Sequence, residues 1–244
     1  MAVGINAMAV TFVAHALAVI AAIMVLVWSI SYRGGLAWEA TNKNLIFNLH
    51  PVLMLIGFII LGGEGNKNFH FAFYFHYKLQ IASVGETSEE VDPPYTPAIA
   101  LALGIFGICA AFKNHNESGI PNLYSLHSWI GIGVISLYGF QWVYSFIVFF
   151  FPGGSTNLRS GLLPWHAMLG LFVYILAVGN AALGFLEKLT FLENGGLDKY
   201  GSEAFLINFT AIITILFATF VVLTASAKSP SSNDDTVDYS YSAI

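Results

Sequence analysis

Charged side chains are scarce in this protein. Only 9% of its 244 residues are Asp, Glu, Lys or Arg, whereas an average soluble domain contains about 25%. Hydrophobic residues make up 57% of the chain. This composition excludes an ordinary water-soluble globule and indicates an integral membrane protein.

Basic residues and cysteines are scarcer still. Nine Lys and Arg residues stand against fourteen Asp and Glu, for a net charge of −5, so nucleic-acid binding has no electrostatic basis. Cys109 is the single cysteine, which excludes an intramolecular disulfide and a metal site built from clustered cysteines. The 15% aromatic content argues against disorder over most of the length.

Six stretches of the chain contain no charged residue. They cover residues 5–31, 45–63, 98–112, 123–151, 160–186 and 204–227. A membrane-spanning helix needs roughly 20 apolar residues, so five stretches can span unaided, while the third, with 15 residues, is predicted to be too short. The sequence therefore predicts an all-α fold, a six-helix transmembrane bundle over residues 1–227 with a disordered tail over 228–244.

The orientation of this bundle is left open by the sequence. Six helices place both termini on one face. With a cytosolic N-terminus, the cytosolic segments would hold four Lys or Arg and the outer segments five, so the positive-inside rule does not decide. The first stretch lacks the basic start and the cleavage site of a secretory signal, and we expect it to be a retained helix.

Four histidines lie inside the charge-free stretches: His15, His50, His127 and His166. An ionisable side chain at membrane depth is a functional-site hypothesis by default, and the alternative is a neutral histidine hydrogen-bonded to another helix. His50 and His127 lie near the starts of the second and fourth helices, which enter from the same face, so their imidazoles share a depth. Such a pair can ligate a haem from both sides, a state suited to electron transfer because no coordination site stays open.

His166 lies near the start of the fifth helix, which enters from the opposite face. A second haem there would need a partner on the first or third helix. The third stretch contains no histidine, and the first contains His15. The spacing of the histidines alone therefore supports one haem fully and a second haem only in part.

Three motifs carry a resemblance to a known family. They are NLHP at 48–51, LYSLHSW at 123–129 and PWH at 164–166, joined by FPGG at 151–154 and LRS at 158–160. Over roughly residues 1–64 and 98–244 the chain closely resembles the plant cytochromes b561, which are six-helix transmembrane oxidoreductases.

The resemblance implies a cofactor set and an activity. The family binds two b-type haems, one near each face, and passes an electron from cytosolic ascorbate to monodehydroascorbate or ferric chelates across the membrane. By motif, His50 and His127 would ligate the non-cytosolic haem and His166 the cytosolic one. The resemblance also implies a homodimer in the vacuolar or plasma membrane.

The resemblance further implies substrate-binding residues. The outer site would form around the connection between the third and fourth helices, at Phe112, His115, Asn116 and Tyr124, and the alternative is an ordinary polar loop. For Arg159, before the fifth helix, a contact with substrate or haem propionate and a solvated positive charge are both open.

One segment departs from the family pattern. In the family, the loop after the second helix is rich in lysines that bind ascorbate, and it leads to the histidine that pairs with the fifth-helix ligand. Residues 65–97 contain neither, and residues 64–97 hold two lysines against five carboxylates, the wrong sign for binding anionic ascorbate. His70 and His76 in this segment, and His15, remain weak alternatives for the missing ligand.

A coding-frame hypothesis accounts for this departure. The peptide VDPPYTP at 91–97 can be encoded so that reading one base later gives Leu-Ile-His-Leu-Ile-Leu followed by His or Gln, the family's third-helix start. Residues 65–80 would then be a translated intron, and the chain a mis-spliced or mispredicted relative that holds only the non-cytosolic haem and cannot complete transfer. A transporter or channel is disfavoured because no predicted span contains a charged residue.

Overall fold

The computed structural model describes residues 7–64 and 95–226. Residues 65–94, which contain His70, His76 and most of the departing segment, lie outside the described residues, as does the tail over 228–244. Our predictions for those two regions therefore stay predictions.

Six helices, numbered α1 to α6 in chain order, make up the described part of the chain. They are α1 (Ala7–Val27, continued by a π-helical turn, Trp28–Tyr32), α2 (Asn44–Phe47, Leu49–Val52, a π-helical segment Leu53–Ile60, then Leu61–Glu64), α3 (Tyr95–Ser118), α4 (Leu126–Ser145, continued by π-helical Phe146–Phe150), α5 (Thr156–Asn194) and α6 (Ser202–Ser226). Each is long and apolar enough to cross a membrane. The predicted all-α six-helix bundle is confirmed, and the chain is a multi-pass integral membrane protein.

Helix α3 is longer than the sequence indicated. It begins at Tyr95 and runs for 24 residues, so the expectation of a third helix too short to span is wrong. Pro97 is its third residue, and in the first turn the missing N–H has no intrahelical acceptor to lose. At the other end the helix continues past Phe112 through Lys113 and Glu117, which pair with each other one turn apart.

Helix α5 also extends beyond its charge-free stretch. The Ser155 side chain caps its start by accepting a hydrogen bond from the Leu158 N–H at 3.3 Å. Its 39 residues correspond to about 58 Å at 1.5 Å per residue, well above the ~30 Å hydrocarbon thickness. Arg159 and Lys188, which the sequence placed in loops, therefore lie on the two ends of this helix.

Small side chains bring α1 close to the bundle. Ala14, Ala18 and Ala21 of α1 are buried in the same apolar cluster as Phe217 and Val221 of α6. Between membrane helices, small residues allow the backbones to approach and increase van der Waals contact.

The bundle has two membrane-facing ends, which we name by their histidines. At the His50 face, residues 33–43, 119–125 and 195–201 connect consecutive helices. At the His166 face, residues 151–155 connect α4 to α5.

A polar cluster joins α1 to α6 at the His50 face. The carboxylate of Glu203, which is 9% exposed, accepts a hydrogen bond from the Trp28 indole N–H at 2.9 Å. The same oxygen accepts from the Arg33 guanidinium. Glu203 therefore neutralises Arg33 at the place where the first connection leaves α1.

Replacing Glu203 by glutamine should destabilise this end of the bundle. The Glu203→Gln change keeps the side-chain shape but leaves Arg33 partly buried without a counterion, which costs ~3 kcal/mol of unfolding free energy. Unfolding in mixed detergent, followed by helicity, measures the difference. The control is Glu39→Gln, which removes an ion pair with Lys113 at 2.8 Å whose carboxylate is 72% exposed and should cost less than ~1 kcal/mol. Equal losses in the two variants would contradict the assignment.

Candidate cofactor and substrate site

Two imidazoles face each other inside the bundle. The rings of His50 on α2 and His127 on α4 have centroids 6.0 Å apart and planes at 84°. A metal–imidazole bond is about 2 Å long, so two imidazoles on opposite sides of one metal ion have centroids roughly 6 Å apart. The two rings that were predicted to share a depth therefore lie close together, at a separation that fits one metal ion between them, and their ligation of haem stays a prediction.

Backbone carbonyls determine which nitrogen of each ring is available. The Nδ1 atom of His50 lies 3.0 Å from the Gly107 carbonyl oxygen on α3, and that of His127 lies 2.9 Å from the Asn180 carbonyl oxygen on α5. Because a carbonyl only accepts, each Nδ1 carries the proton and each Nε2 keeps its lone pair. A neutral imidazole oriented in this way is the form that ligates a metal.

Gly184 on α5 makes room for the His127 ring. A Cβ atom at this position would lie 2.7 Å from Cε1 of His127 and 3.2 Å from its Nε2, closer than non-bonded carbon atoms approach. We did not single out Gly184 from the sequence, where it is one of several glycines in an apolar stretch.

A cavity of about 500 Å³ adjoins the two histidines. All six helices contribute to its walls, which are mainly apolar, and its volume lies within the range of roughly 300–1,000 Å³ typical of cofactor and ligand pockets. Two amide oxygens that line it, Oδ1 of Asn122 and of Asn180, are buried and have no hydrogen-bond partner among the residues that the structure describes. The donor set and the space fit a flat, largely apolar cofactor ligated through the two Nε2 atoms, with room for a polar ligand at the rim.

The rim of this cavity contains most of the predicted substrate residues. Phe112, His115 and Tyr124 line it, and the rings of His115 and Tyr124 are 6.4 Å apart. Asn116 does not line it and instead accepts a hydrogen bond from the Asn122 side chain at 2.7 Å. Asn122, which sequence analysis missed, lines the cavity at this rim, and Asn116 orients its amide.

Tyr124 is a hydrogen-bond donor at this rim. Burial, and then the negative charge of Glu187, raise the pKa of the Tyr124 hydroxyl above its ordinary value. The phenol therefore keeps its proton throughout the physiological pH range.

Two charged residues of α5 also line the cavity. Glu187 accepts a hydrogen bond from the Ser125 hydroxyl at 3.1 Å, and the Lys188 ammonium lies 4.0 Å from the centroid of the Phe47 ring. Sequence analysis missed both residues because they follow the charge-free stretch 160–186 and were assigned to the loop after it. The spacing of four residues from Gly184 to Lys188, which puts them on one helix face, is the signal that connects Lys188 to the site.

His166 lies on the opposite face of the bundle. Its Nδ1 is 2.9 Å from the Ser145 hydroxyl oxygen, and that hydroxyl donates its own proton to the Gln141 carbonyl at 2.6 Å. The Gln141 amide nitrogen, which can only donate, lies 3.3 Å from the same Nδ1. The ring of Phe149 packs against His166 with centroids 5.4 Å apart, so the described residues supply one imidazole here.

Neither Arg159 nor His15 lines the cavity beside the His50–His127 pair. The Arg159 Nε–H donates to the Gly154 carbonyl at 2.9 Å, which places it at the His166 face, and its proposed contact with substrate or propionate stays a prediction. The Nδ1 of His15 lies 2.8 Å from the Thr11 carbonyl one turn earlier on α1.

These features define a class of protein. The chain is a multi-pass membrane protein whose helix bundle contains two facing histidines beside a mainly apolar cavity. Residues 49–192 match the family model for eukaryotic cytochrome b561, and the chain belongs to that family. Membership implies a b-type haem cofactor.

Similar proteins from plants and animals cover most of this chain. It is 80% identical to transmembrane ascorbate ferrireductase 1 of Arabidopsis thaliana over 256 aligned positions, covering 100% of both chains. It is 61% identical to ascorbate-specific transmembrane electron transporter 2 of Zea mays, covering 92% of this chain and 91% of that protein. A transmembrane ascorbate-dependent reductase of Homo sapiens is 36% identical, covering 85% of this chain and 79% of that protein.

Proposed function

We propose that this protein is an ascorbate-dependent transmembrane oxidoreductase that transfers electrons across the membrane through b-type haem held by His50 and His127. The observation that carries the proposal is the facing pair of imidazoles with both Nε2 atoms available. The names of the plant and animal relatives support the choice of ascorbate as the electron donor. His50 and His127 would hold the haem, which would supply one-electron chemistry when bound.

In this proposal, the residues of the chain hold and orient the haem, and none of them takes part in a chemical reaction. The carbonyls of Gly107 and Asn180 fix the orientation of the two imidazoles, and the apolar cavity walls exclude water. On the His166 face, we propose that His166 supplies one ligand of a second haem, whose other ligand is His15, lies outside the described residues, or is missing. An electron would then enter at the His166 face from cytosolic ascorbate and leave at the His50 face.

We propose that the acceptor binds at the rim of the His50-face cavity. Phe112 and His115 would provide contact area, Tyr124 would donate a hydrogen bond, and the unpaired Asn122 oxygen would accept one from a ligand hydroxyl. This set suits a small, hydroxyl-bearing anion such as monodehydroascorbate, and ferric chelates are the other candidate. Arg159 would serve the donor at the opposite face.

Removing the Tyr124 hydroxyl should weaken acceptor binding. Tyr124→Phe deletes one hydrogen bond to a charged ligand, and about 1.5 kcal/mol corresponds to a roughly tenfold higher KM with an unchanged haem spectrum. Since the pKa of Tyr124 is raised above its usual value of about 10, its hydroxyl stays neutral and able to donate. The ratio of the KM of Tyr124→Phe to that of the wild type should therefore be constant from about pH 6 to 9. Initial rates with monodehydroascorbate measure it. Tyr200→Phe, an 82% exposed tyrosine on the same face, is the control and should match wild type.

Reconstitution tests the proposed function. The full chain is expressed with haem, purified, and inserted into vesicles loaded with ascorbate, and reduction of an external ferric chelate is followed. We expect ascorbate to reduce the bound haem and the external chelate to reoxidise it. A protein that binds no haem, or haem that ascorbate does not reduce, would overturn the proposal. The homodimer and the vacuolar or plasma membrane remain parts of the proposal and are checked by the mass of the purified protein and by imaging of a tagged chain.

A second candidate is a defective relative that binds haem at the His50 face alone. It is favoured by the acidic balance of residues 64–97 and by the alignment with the Arabidopsis relative, which spans 256 positions against the 244 residues here. That alignment must include residues of the relative without a counterpart in this chain. One haem per polypeptide and no transfer across vesicles would support this candidate, and two haems would exclude it. Sequencing the transcript tests its proposed origin, because the family peptide must be readable in another frame at 91–97.

A further inference from the structure

Lys188 has an unusual electrostatic position in the His50-face cavity. It is half-buried near the end of α5, lines the cavity, and places its ammonium 4.0 Å from the centroid of the Phe47 ring. Among the described residues, no carboxylate lies within 4.0 Å of this ammonium.

Three other cations of the His50 face are paired with carboxylates. Arg33 is bound by Glu203. Lys43 lies 2.6 Å from Glu117, and Lys113 contacts both Glu117 and Glu39. Each of these three carboxylates is therefore in contact with a cation other than Lys188.

Glu187 is adjacent in sequence but does not neutralise Lys188. Consecutive residues on a helix point in directions about 100° apart and do not face each other. The Glu187 carboxylate accepts from the Ser125 hydroxyl at the start of α4 instead. Among the described residues, the Lys188 ammonium is therefore in contact with no carboxylate, although Glu187 lines the same cavity.

An ammonium in an apolar membrane cavity is costly unless it is paired. The Phe47 ring compensates part of this cost through a cation–π contact, but such a contact is weaker than a full counterion. An anion brought by the cavity's occupant would remove the remaining cost. The residue thus indicates what kind of ligand group the cavity accommodates.

We infer that Lys188 is an anion-binding residue of the His50-face site and takes an oxyanion of the cavity's occupant. This inference rests on the proposed function for the identity of the occupant. The oxyanion has two possible sources with the same chemistry, a carboxylate of the haem or the negative charge of the electron acceptor. Both predict that the positive charge at residue 188 matters more than its shape.

The test compares charge removal with charge retention in the full-length haem protein. Lys188→Gln removes the charge, Lys188→Arg keeps it, and Lys199→Gln is the matched control on an exposed lysine of the same face. Redox titration gives the midpoint potential of the His50-face haem. Initial rates give the KM for anionic ferricyanide and for cationic hexaammineruthenium(III).

The two sources predict different results. If the oxyanion is a haem carboxylate, the Lys188 cation stabilises the reduced haem. Lys188→Gln should then favour the ferric state by about tenfold, which lowers the midpoint potential by ~59 mV for a one-electron couple. If the oxyanion belongs to the acceptor, the midpoint potential of the haem should stay unchanged in Lys188→Gln. The KM for ferricyanide should then rise about tenfold, whereas the KM for hexaammineruthenium should not rise. In either case Lys188→Arg should stay close to wild type, and Lys199→Gln should match it.

Other outcomes also decide the question. Unchanged potential and unchanged KM values in Lys188→Gln would overturn the inference, while reduction of the wild-type haem by ascorbate would leave the proposed function intact. If Lys188→Gln folds by helicity but loses haem, retention of haem in Lys188→Arg supports the inference. Equal loss in both variants would show that side-chain shape, not charge, is required and would overturn it.

Discussion

Replacing His127 by alanine should remove the haem of the His50 face. The substitution takes away one of two facing ligands, and the remaining imidazole of His50 cannot fill both axial positions. We expect the haem content of this site to fall below about a tenth of the wild-type value. The pyridine haemochrome assay and the reduced-minus-oxidised spectrum of the purified protein measure the loss.

The other histidines provide the controls for this prediction. His50→Ala should have the same effect, and the double variant should be no worse than either single variant because the two residues act as one unit. Any haem bound through His166 should remain, since that residue lies at the opposite face. His15→Ala, which removes an imidazole hydrogen-bonded within α1, should leave the His50-face haem unchanged. Unaltered haem content in His127→Ala would refute the pairing with His50.

Adding a single methyl group at Gly184 should have a comparable effect. The Cβ atom of an alanine would lie 2.7 Å from Cε1 and 3.1 Å from Nδ1 of His127, and the ring is held in place by the Asn180 carbonyl of the same helix. The ring must move away from α5, which breaks that hydrogen bond and misdirects Nε2. Loss of such an orienting contact typically weakens metal binding about 10- to 100-fold, and haem titration of the apoprotein measures the affinity.

Gly179 on the same helix offers a matched control. A Cβ atom there would meet nothing within 4 Å, so Gly179→Ala should bind haem normally and stabilise the helix by up to ~1 kcal/mol. If Gly184→Ala bound haem as well as Gly179→Ala, the close contact between Gly184 and His127 would not be a determinant of the site.

The positions of the helices were predictable because lipid imposes a simple requirement. Every segment inside the hydrocarbon must be apolar and must satisfy its own backbone hydrogen bonds, so the absence of charge alone identified six helices. The same criterion failed at helix ends, where α3 and α5 continue into the polar region with Lys113 and Lys188. The third charge-free stretch began only at residue 98, although Pro97 lies in the first turn of α3, where a proline interrupts no helical hydrogen bond.

The site was predictable only in part. Depth along two helices that enter from the same face predicted that His50 and His127 lie together, since equal distance from one face needs no knowledge of packing. Their partners were not predictable in this way. The carbonyls of Gly107 and Asn180 lie on α3 and α5, and contact depends on how each helix is rotated about its axis. The near-absence of a single apolar face on these helices removes the usual sequence signal for that rotation.

By itself, the sequence determined that this chain crosses the membrane six times and carries two histidines at one depth, because both follow from the spacing of residues along single helices. Tertiary structure alone decided that these rings face each other at 6.0 Å, that Gly184 leaves space for one of them, and that Lys188 enters the cavity. These facts depend on side-chain directions from several helices that converge on one point. Such convergence is determined by packing between helices and is not encoded in the spacing along any one of them.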